Sequence, residues 1–390
     1  MSQLLRFALQ TAIAIFISFA LQSAAVAAPE VKLSSSLDTS AQSAVLMDGN
    51  GTILFEKDPH KKLPPASVTK VMTLLLAVDA VEQERIHLTD EVTVSETAWR
   101  QGGSQIWLEP GERMTVREMM TAVAVVSAND AAVAIMEHIY GSEQAAIDAM
   151  NKKAEAMGLQ NTHFSNVNGL PAPNHYMSAY DVAMIAKEAV KHPLYLELCS
   201  IKEHWLRDGK NWLVNTNKLL WWYKGADGLK TGWTEEAKYC FVGTANRDAL
   251  RLIAVVFATP EPRSHLRESM KLLDWGYANY SAFPVVDKNT VVDRLQVSKG
   301  EEKEVNLVAA DDLTLLIGKG QNKNIQKKLI LNSSVVIAPI TSGEKYGELV
   351  VIKDNKEIGK VDLIAEKSVP KAGFFKVFQS LISNLFTINR

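Results

Sequence analysis

Residues 64–81 read Pro64-Pro65-Ala66-Ser67-Val68-Thr69-Lys70-Val71-Met72-Thr73-Leu74-Leu75-Leu76-Ala77-Val78-Asp79-Ala80-Val81. From Thr69 onward this stretch is too apolar on every side for a surface helix and too short to cross a membrane. It is therefore expected as a helix buried at the centre of a domain. The two prolines stop regular structure upstream and leave Ser67 at or beside the first helical turn. Ser67 and Lys70, three residues apart, share one helix face. A serine hydroxyl is a poor nucleophile near neutral pH and needs an adjacent base. Lysine is a base only when neutral, a state favoured by burial and by a second cation nearby.

Two further segments carry chemistry. From Val116 to Tyr140 two apolar helical stretches are broken at Ser127-Ala128-Asn129-Asp130, residues that favour corners over helix interiors. This helix, corner, helix unit is suited to project the Ser127 hydroxyl and the Asn129 amide into a cleft, and equally suited to simple capping. After Asp227-Gly228, strand-like runs around Leu229-Lys230-Thr231, from Tyr239 to Ala245 and from Leu250 to Phe257 predict an antiparallel hairpin turning at Asn246-Arg247-Asp248. Strand alternation puts Lys230 and Gly232 on one face and Thr231 on the other, so their joint use requires an edge position or a local twist. An edge strand also receives extended peptides by backbone pairing. The S-x-x-K spacing recurs at Ser342 and Ser368, in a β-rich region and its tail with no catalytic cluster. Only Ser67 opens a buried helix and is followed by both other segments.

The remaining sequence sets the frame. Arg6, an apolar run from Phe7 to Leu21 and the small residues Ala25-Val26-Ala27 have the layout of a secretory leader, residues 1–27; about 15 apolar residues fall short of the ~20 that span a bilayer. An amphipathic stretch from Leu266 to Tyr280 closes the first domain, and Phe283-Pro284 marks the expected boundary, giving 28–282 and then a small all-β domain over 283–368, read as a β-sandwich. In residues 369–390, Phe374, Phe378, Leu381, Leu385 and Ile388 share a face, which predicts an amphipathic helix that lies in a membrane surface. With 42 Lys and Arg against 44 Asp and Glu the net charge is −2, so no basic excess points to nucleic acid. The eight histidines show no H-E-x-x-H or other zinc spacing, so neither metal nor cofactor is implied. The two cysteines, Cys199 and Cys240, allow one bridge at most and are expected to be unpaired.

Ser67-Val68-Thr69-Lys70, Ser127-Ala128-Asn129 and Lys230-Thr231-Gly232, in that order, are the motif set of penicillin-binding proteins and class A β-lactamases. With Gly169-Leu170-Pro171, His175-Tyr176, Ser178-Ala179-Tyr180-Asp181 and Lys271-Leu272-Leu273-Asp274-Trp275-Gly276, the chain resembles the D-alanyl-D-alanine carboxypeptidases over essentially its whole length. That resemblance implies an α+β fold: an antiparallel sheet flanked by helices, with a helical subdomain, then the β domain and the anchor helix. It implies that Ser67 forms an acyl-enzyme, that Lys70 is the general base and that Ser127 and Asn129 complete the relay, Asn129 also holding the substrate. Lys230 and Thr231 would bind the terminal carboxylate, and Gly232 and Trp233 would line the site, the backbone N–H groups of Ser67 and Trp233 forming the oxyanion hole. Implied partners are peptidoglycan stem peptides ending in D-Ala-D-Ala, β-lactam antibiotics and the outer face of the cytoplasmic membrane.

Thr216 stands where some members carry a carboxylate-binding arginine, with Lys218 close by. Asp181 is read as a helix-start residue, with bracing of the loop after His175 as the alternative, and Trp221, Trp222 and Tyr223 are left outside the site. A β-lactamase needs a dedicated deacylating glutamate, and no Glu-x-x-Leu-Asn lies between Asn129 and Lys230. Endopeptidase and transpeptidase activities share the same acyl-enzyme, while a catalytically silent wall-binding protein would not need all three motifs.

Overall fold

A computed structural model describes residues 37–373. The expected leader at 1–27 and the apolar helix face beginning at Phe374 lie outside the described residues.

Strands β1 (Ser43–Asp48) and β2 (Ile53–Lys57) pair with each other, and a 3₁₀ turn over Ala66–Thr69 then leads into helix α1 (Lys70–Glu82). Helices α2 (Val116–Val125) and α3 (Asn129–Tyr140) follow. Strands β3 (Ala226–Thr234), β4 (Lys238–Arg247) and β5 (Leu250–Thr259) and helix α4 (Ser264–Asn279) complete the first domain. The five strands form one sheet in the order β2-β1-β5-β4-β3, with antiparallel neighbours throughout. Late strand β5 lies beside early strand β1, which closes the domain around its ends.

Alternation along β5 explains its unbroken apolar sequence. Ile253, Val255 and Phe257 join a core with α1, α2 and α3, while Leu252, Ala254 and Val256 face a second core with Leu266, Leu272 and Leu273 of α4. Both faces of the sheet are covered, so the strand needs no polar side. In α1 every residue from Lys70 to Val78 is buried, as the all-round apolar sequence predicts. Each buried Leu or Val there contributes about 2 kcal/mol. This surplus offsets the burial of one lysine.

The β-rich part differs from expectation at both borders. Phe283-Pro284 is not a loop: it lies within the strand Tyr280–Val286, which pairs with Leu313–Gly318 and shifts register between Pro284 and Val286. Proline is tolerated there because in a two-stranded sheet every strand is an edge strand. At the other end Ile340 bridges to Val369 and Gly300 to Lys371, so the chain stays tied to the β-rich part past residue 368. Between these borders a six-stranded sheet covers an apolar core that includes Val285, Leu315 and Ile317 from the two-stranded pair. Cys199 and Cys240 are buried free thiols.

Candidate active site

Ser67 sits in the 3₁₀ turn ahead of α1, half-buried, on a backbone that Ala66 enters at φ 47°. Such a conformation is unfavourable for a residue with a Cβ and must be held by its surroundings. Thr69 Oγ1 donates to Ala66 O at 2.9 Å and lies 2.7 Å from His175 Nε2. Ser165 N–H donates to His175 Nδ1 at 2.9 Å, which makes Nε2 the protonated nitrogen of a neutral ring that donates to Thr69. Burial, His163 and Lys70 bring the His175 pKa down to about 4, consistent with that neutral form. Gly169, at φ 87°, completes the brace: a Cβ on it would lie 1.9 Å from Ala66 O.

Lys70 is 1% exposed. Its Nζ lies 3.0 Å from Ser67 Oγ, 2.5 Å from Asn129 Oδ1 and 2.6 Å from Asn168 O. The Asn129 amide is oriented by its Nδ2, which donates to Gly102 O at 2.6 Å. Two of the three partners of Lys70 are thus carbonyl oxygens that only accept. A neutral amine spends its two N–H bonds on them, and its lone pair is left for the Ser67 hydroxyl. Burial first, and the Lys230 charge second, hold the Lys70 pKa well below its usual value, with Asp130 acting weakly in the opposite sense. The arrangement is that of a serine beside a base able to accept its proton.

The corner between α2 and α3 is not a cap. Ala128 occupies the N-cap position with no side-chain cap bond, and Ser127, at φ 64°, has a buried hydroxyl with no hydrogen-bond partner among the described residues. A buried orphan hydroxyl asks for a functional explanation. Asn129, expected to serve the substrate, is also a direct partner of Lys70. Asp130 beside it is fully buried and accepts from Ile106 N–H and Leu108 N–H, both at 3.1 Å to Oδ2, fixing the neighbouring loop.

Strand β3 lies at the sheet edge, which meets the condition for Lys230, Thr231 and Gly232 to act together. A Cβ on Gly232 would lie 3.0 Å from Val68 N and 3.1 Å from Ser67 N, so glycine lets the strand close on the turn that carries Ser67. Lys230 is buried, and burial lowers its pKa to about 7. Its Nζ donates to Thr231 O at 3.0 Å. Thr231 Oγ1 donates to Thr216 Oγ1 at 2.9 Å, so Thr216 supplies a hydroxyl, not a charge, at the position noted as a departure. Trp233 is exposed at the end of the strand.

Asn168 carries no role in the sequence reading because a backbone carbonyl leaves no trace in residue type, and Gly169 enters there only as part of a motif, without the left-handed brace it provides. Asp181 is capped by Ser178, which accepts from Asp181 N–H at 3.1 Å, and its carboxylate instead accepts from Asn161 N–H and Thr162 Oγ1, both at 2.8 Å. It braces the turn ahead of Phe164, not the loop after His175. Tyr223 is buried on Asp274, whereas Trp221 and Trp222 are exposed.

A family model described as D-alanyl-D-alanine carboxypeptidase matches residues 29–261, and one described as the C-terminal domain of penicillin-binding protein 5 matches residues 280–371. The D-alanyl-D-alanine carboxypeptidase DacF of Bacillus subtilis is 42% identical over 90% of this chain and 91% of its own. DacC of Escherichia coli, also a D-alanyl-D-alanine carboxypeptidase, is 34% identical over 86% of each chain. Among solved structures, penicillin-binding protein 5 from Haemophilus influenzae aligns with a TM-score of 0.74 at 34% identity, covering 87% of this chain and 100% of that one. Ampicillin-bound penicillin-binding protein D2 from Listeria monocytogenes aligns at 0.57 and 29%, over 62% of this chain and 100% of that one. The chain belongs to the S11 family of serine peptidases and is a D-alanyl-D-alanine carboxypeptidase.

Proposed function

We propose that the chain removes the terminal D-alanine of peptidoglycan stem pentapeptides through an acyl-enzyme on Ser67. Ser67 Oγ attacks the carbonyl carbon of the penultimate D-alanine while Lys70 Nζ takes the hydroxyl proton. The resulting oxyanion is stabilised by the backbone N–H groups of Ser67 and Trp233. As the C–N bond breaks, a proton passes from Lys70 through the Ser127 hydroxyl to the leaving amine. Water then attacks the ester, Lys70 takes its proton, and Ser67 is released with the shortened peptide. Asn129 holds the substrate amide, and Lys230 with Thr231, supported by Thr216, pairs with the terminal carboxylate.

The observation that carries this reading is the buried Lys70 amine, directed at Ser67 Oγ by Asn129 Oδ1 and Asn168 O. The test follows D-alanine released from a pentapeptide ending in D-Ala-D-Ala. Ser67→Ala is expected to lower kcat by about 10⁴-fold or more, by analogy with removal of a serine nucleophile elsewhere. Release that survives the substitution removes Ser67 from the mechanism.

The same attack opens a β-lactam ring and acylates Ser67, in keeping with the ampicillin-bound relative. Without a Glu-x-x-Leu-Asn segment the ester is expected to hydrolyse slowly, and turnover of many benzylpenicillin molecules per second would contradict this. The leader-like sequence of residues 1–27 and the apolar pattern from Phe374 support export and attachment to the outer face of the cytoplasmic membrane. Deleting everything after Pro370 is expected to release it from sedimenting vesicles; continued sedimentation would rule out the C-terminal segment as the anchor.

A further inference from the structure

Trp107 is displayed in a way that packing does not explain. Its neighbours Ile106 and Leu108 are 2% and 1% exposed, whereas Trp107 is 75% exposed. Its backbone sits at φ 59°, a conformation that is an outlier for a bulky residue and calls for a compensating constraint. That constraint is visible from both sides. The buried Asp130 carboxylate takes the N–H groups of Ile106 and Leu108. Arg207, from the turn of the hairpin formed by Glu203–Leu206 and Asn211–Val214, donates to Ile106 O at 2.9 Å and Trp107 O at 3.2 Å. Arg207 is itself held by Glu112 at 2.7 Å. The clamp drives two aliphatic side chains inward and the indole outward.

The indole borders a cavity of about 470 Å³, with Trp99, also exposed, in its lining. Gln101, Gln105, Arg100 and Glu109 supply amide and charged groups around the same space. The cavity also shares a wall with the acyl-transfer centre. Gln101 Oε1 accepts from Asn168 Nδ2 at 2.7 Å, Gly102 O accepts from Asn129 Nδ2, and Ser104 O accepts from Asn129 N–H at 2.7 Å. Asn129 and Asn168 are the two residues whose carbonyl oxygens orient Lys70. The loop that bears Trp107 is therefore tied to the centre by three hydrogen bonds.

Exposed indoles next to amides and single charges match the chemistry of a pyranose. One ring face presents C–H groups that pack on an aromatic plane, and the hydroxyl and acetamido groups at its edge bond to polar side chains. Gln101 is already bonded to Thr97 O and Asn168, Gln105 to Gln101 O and Arg100 to Glu96, so these groups form a pre-set polar rim beside the indoles. We propose that Trp107, with Trp99, forms a saccharide subsite that stacks the amino-sugar ring carrying the stem peptide. The identity of that sugar rests on the stem-peptide substrate proposed above.

The test compares D-alanine release from a free pentapeptide ending in D-Ala-D-Ala with release from the same peptide joined to its N-acetylglucosamine–N-acetylmuramic acid disaccharide. The full chain is expected to prefer the disaccharide substrate, and Trp107→Ala to lower the ratio of the two kcat/KM values about tenfold, through KM, the scale of one aromatic contact. Trp107→Phe should restore part of the ratio. A ratio unchanged in Trp107→Ala overturns the proposal. Stoichiometric acylation by benzylpenicillin checks that the variant is folded. Should the full chain release D-alanine from neither substrate, the functional reading fails, and the subsite is judged on the peptide-free disaccharide alone. A shift of the Trp107 indole N–H resonance on its addition supports the subsite, and none at millimolar concentration overturns it.

Discussion

Lys230 is the residue whose charge state is set most finely. Burial brings its pKa to about 7, while Lys70 is held well below its usual value. A carboxylate pairs only with the protonated form, which predominates below pH 7 and is lost as pH rises through it. The affinity of Ser67→Ala for a peptide with a free C-terminal carboxylate should therefore fall about tenfold per pH unit above 7, as one linked proton requires. The same peptide amidated should show no such slope. Calorimetric titration at pH 6, 7 and 8 checks this, and a flat profile for the carboxylate would separate Lys230 from carboxylate binding. At this scale the pairing of Ser67 with a buried Lys70 is legible in the sequence, because the two lie three apart at the head of an apolar helix. Asn168 is not legible, since its contribution to Lys70 is a main-chain oxygen that any residue type provides. In the sequence Thr216 stands out only as a departure from the family pattern, because its bond to Thr231 depends on a fold that brings a loop to a strand.

The elements set the turn that presents Ser67. Gly169 lies at φ 87°, with its α-carbon hydrogen directed at Ala66 O, and Gly232 allows β3 to meet the same turn from the other side. Gly169→Ala adds a Cβ 1.9 Å from that oxygen in a backbone conformation alanine disfavours. It should cost on the order of 3 kcal/mol of stability and slow acylation by benzylpenicillin. Urea unfolding and the acylation rate read the two effects; wild-type values for both would mean that the turn is not braced from this side. The α2–α3 corner and the β3–β4–β5 succession were readable from hydrophobic runs broken by turn residues. What the corner does was not, because Ser and Asn serve as caps or as site residues with the same local sequence. The missing cap bond, the free Ser127 hydroxyl and the bond from Asn129 to Lys70 show only after folding that these residues do not serve as a cap.

On the scale of the molecule, one sheet with both faces buried brings Ser67, presented at the head of the central helix, beside the edge strand β3, while late strand β5 pairs with early β1 inside the sheet. Among the described residues, no side chain of the β-rich part is hydrogen-bonded to that centre. It follows α4 without a linker and touches the first domain where Asn50 Nδ2 donates to Thr314 O at 3.1 Å. The change of texture near residue 280 was legible, whereas the border itself was not, because Phe283-Pro284 carries a turn signal while the pairing partner that makes it a strand lies about 30 residues on, at Leu313–Gly318. The account's central claim is that this architecture makes Ser67 an acyl acceptor with Lys70 as its base. Intact-mass analysis after incubation with benzylpenicillin, with a peptide map, tests it most directly. The account predicts one adduct per chain, on Ser67, absent from Ser67→Ala and formed at least 10³-fold more slowly in Lys70→Gln, the scale of a lost general base. An adduct on another residue, or undiminished acylation of Lys70→Gln, would contradict it.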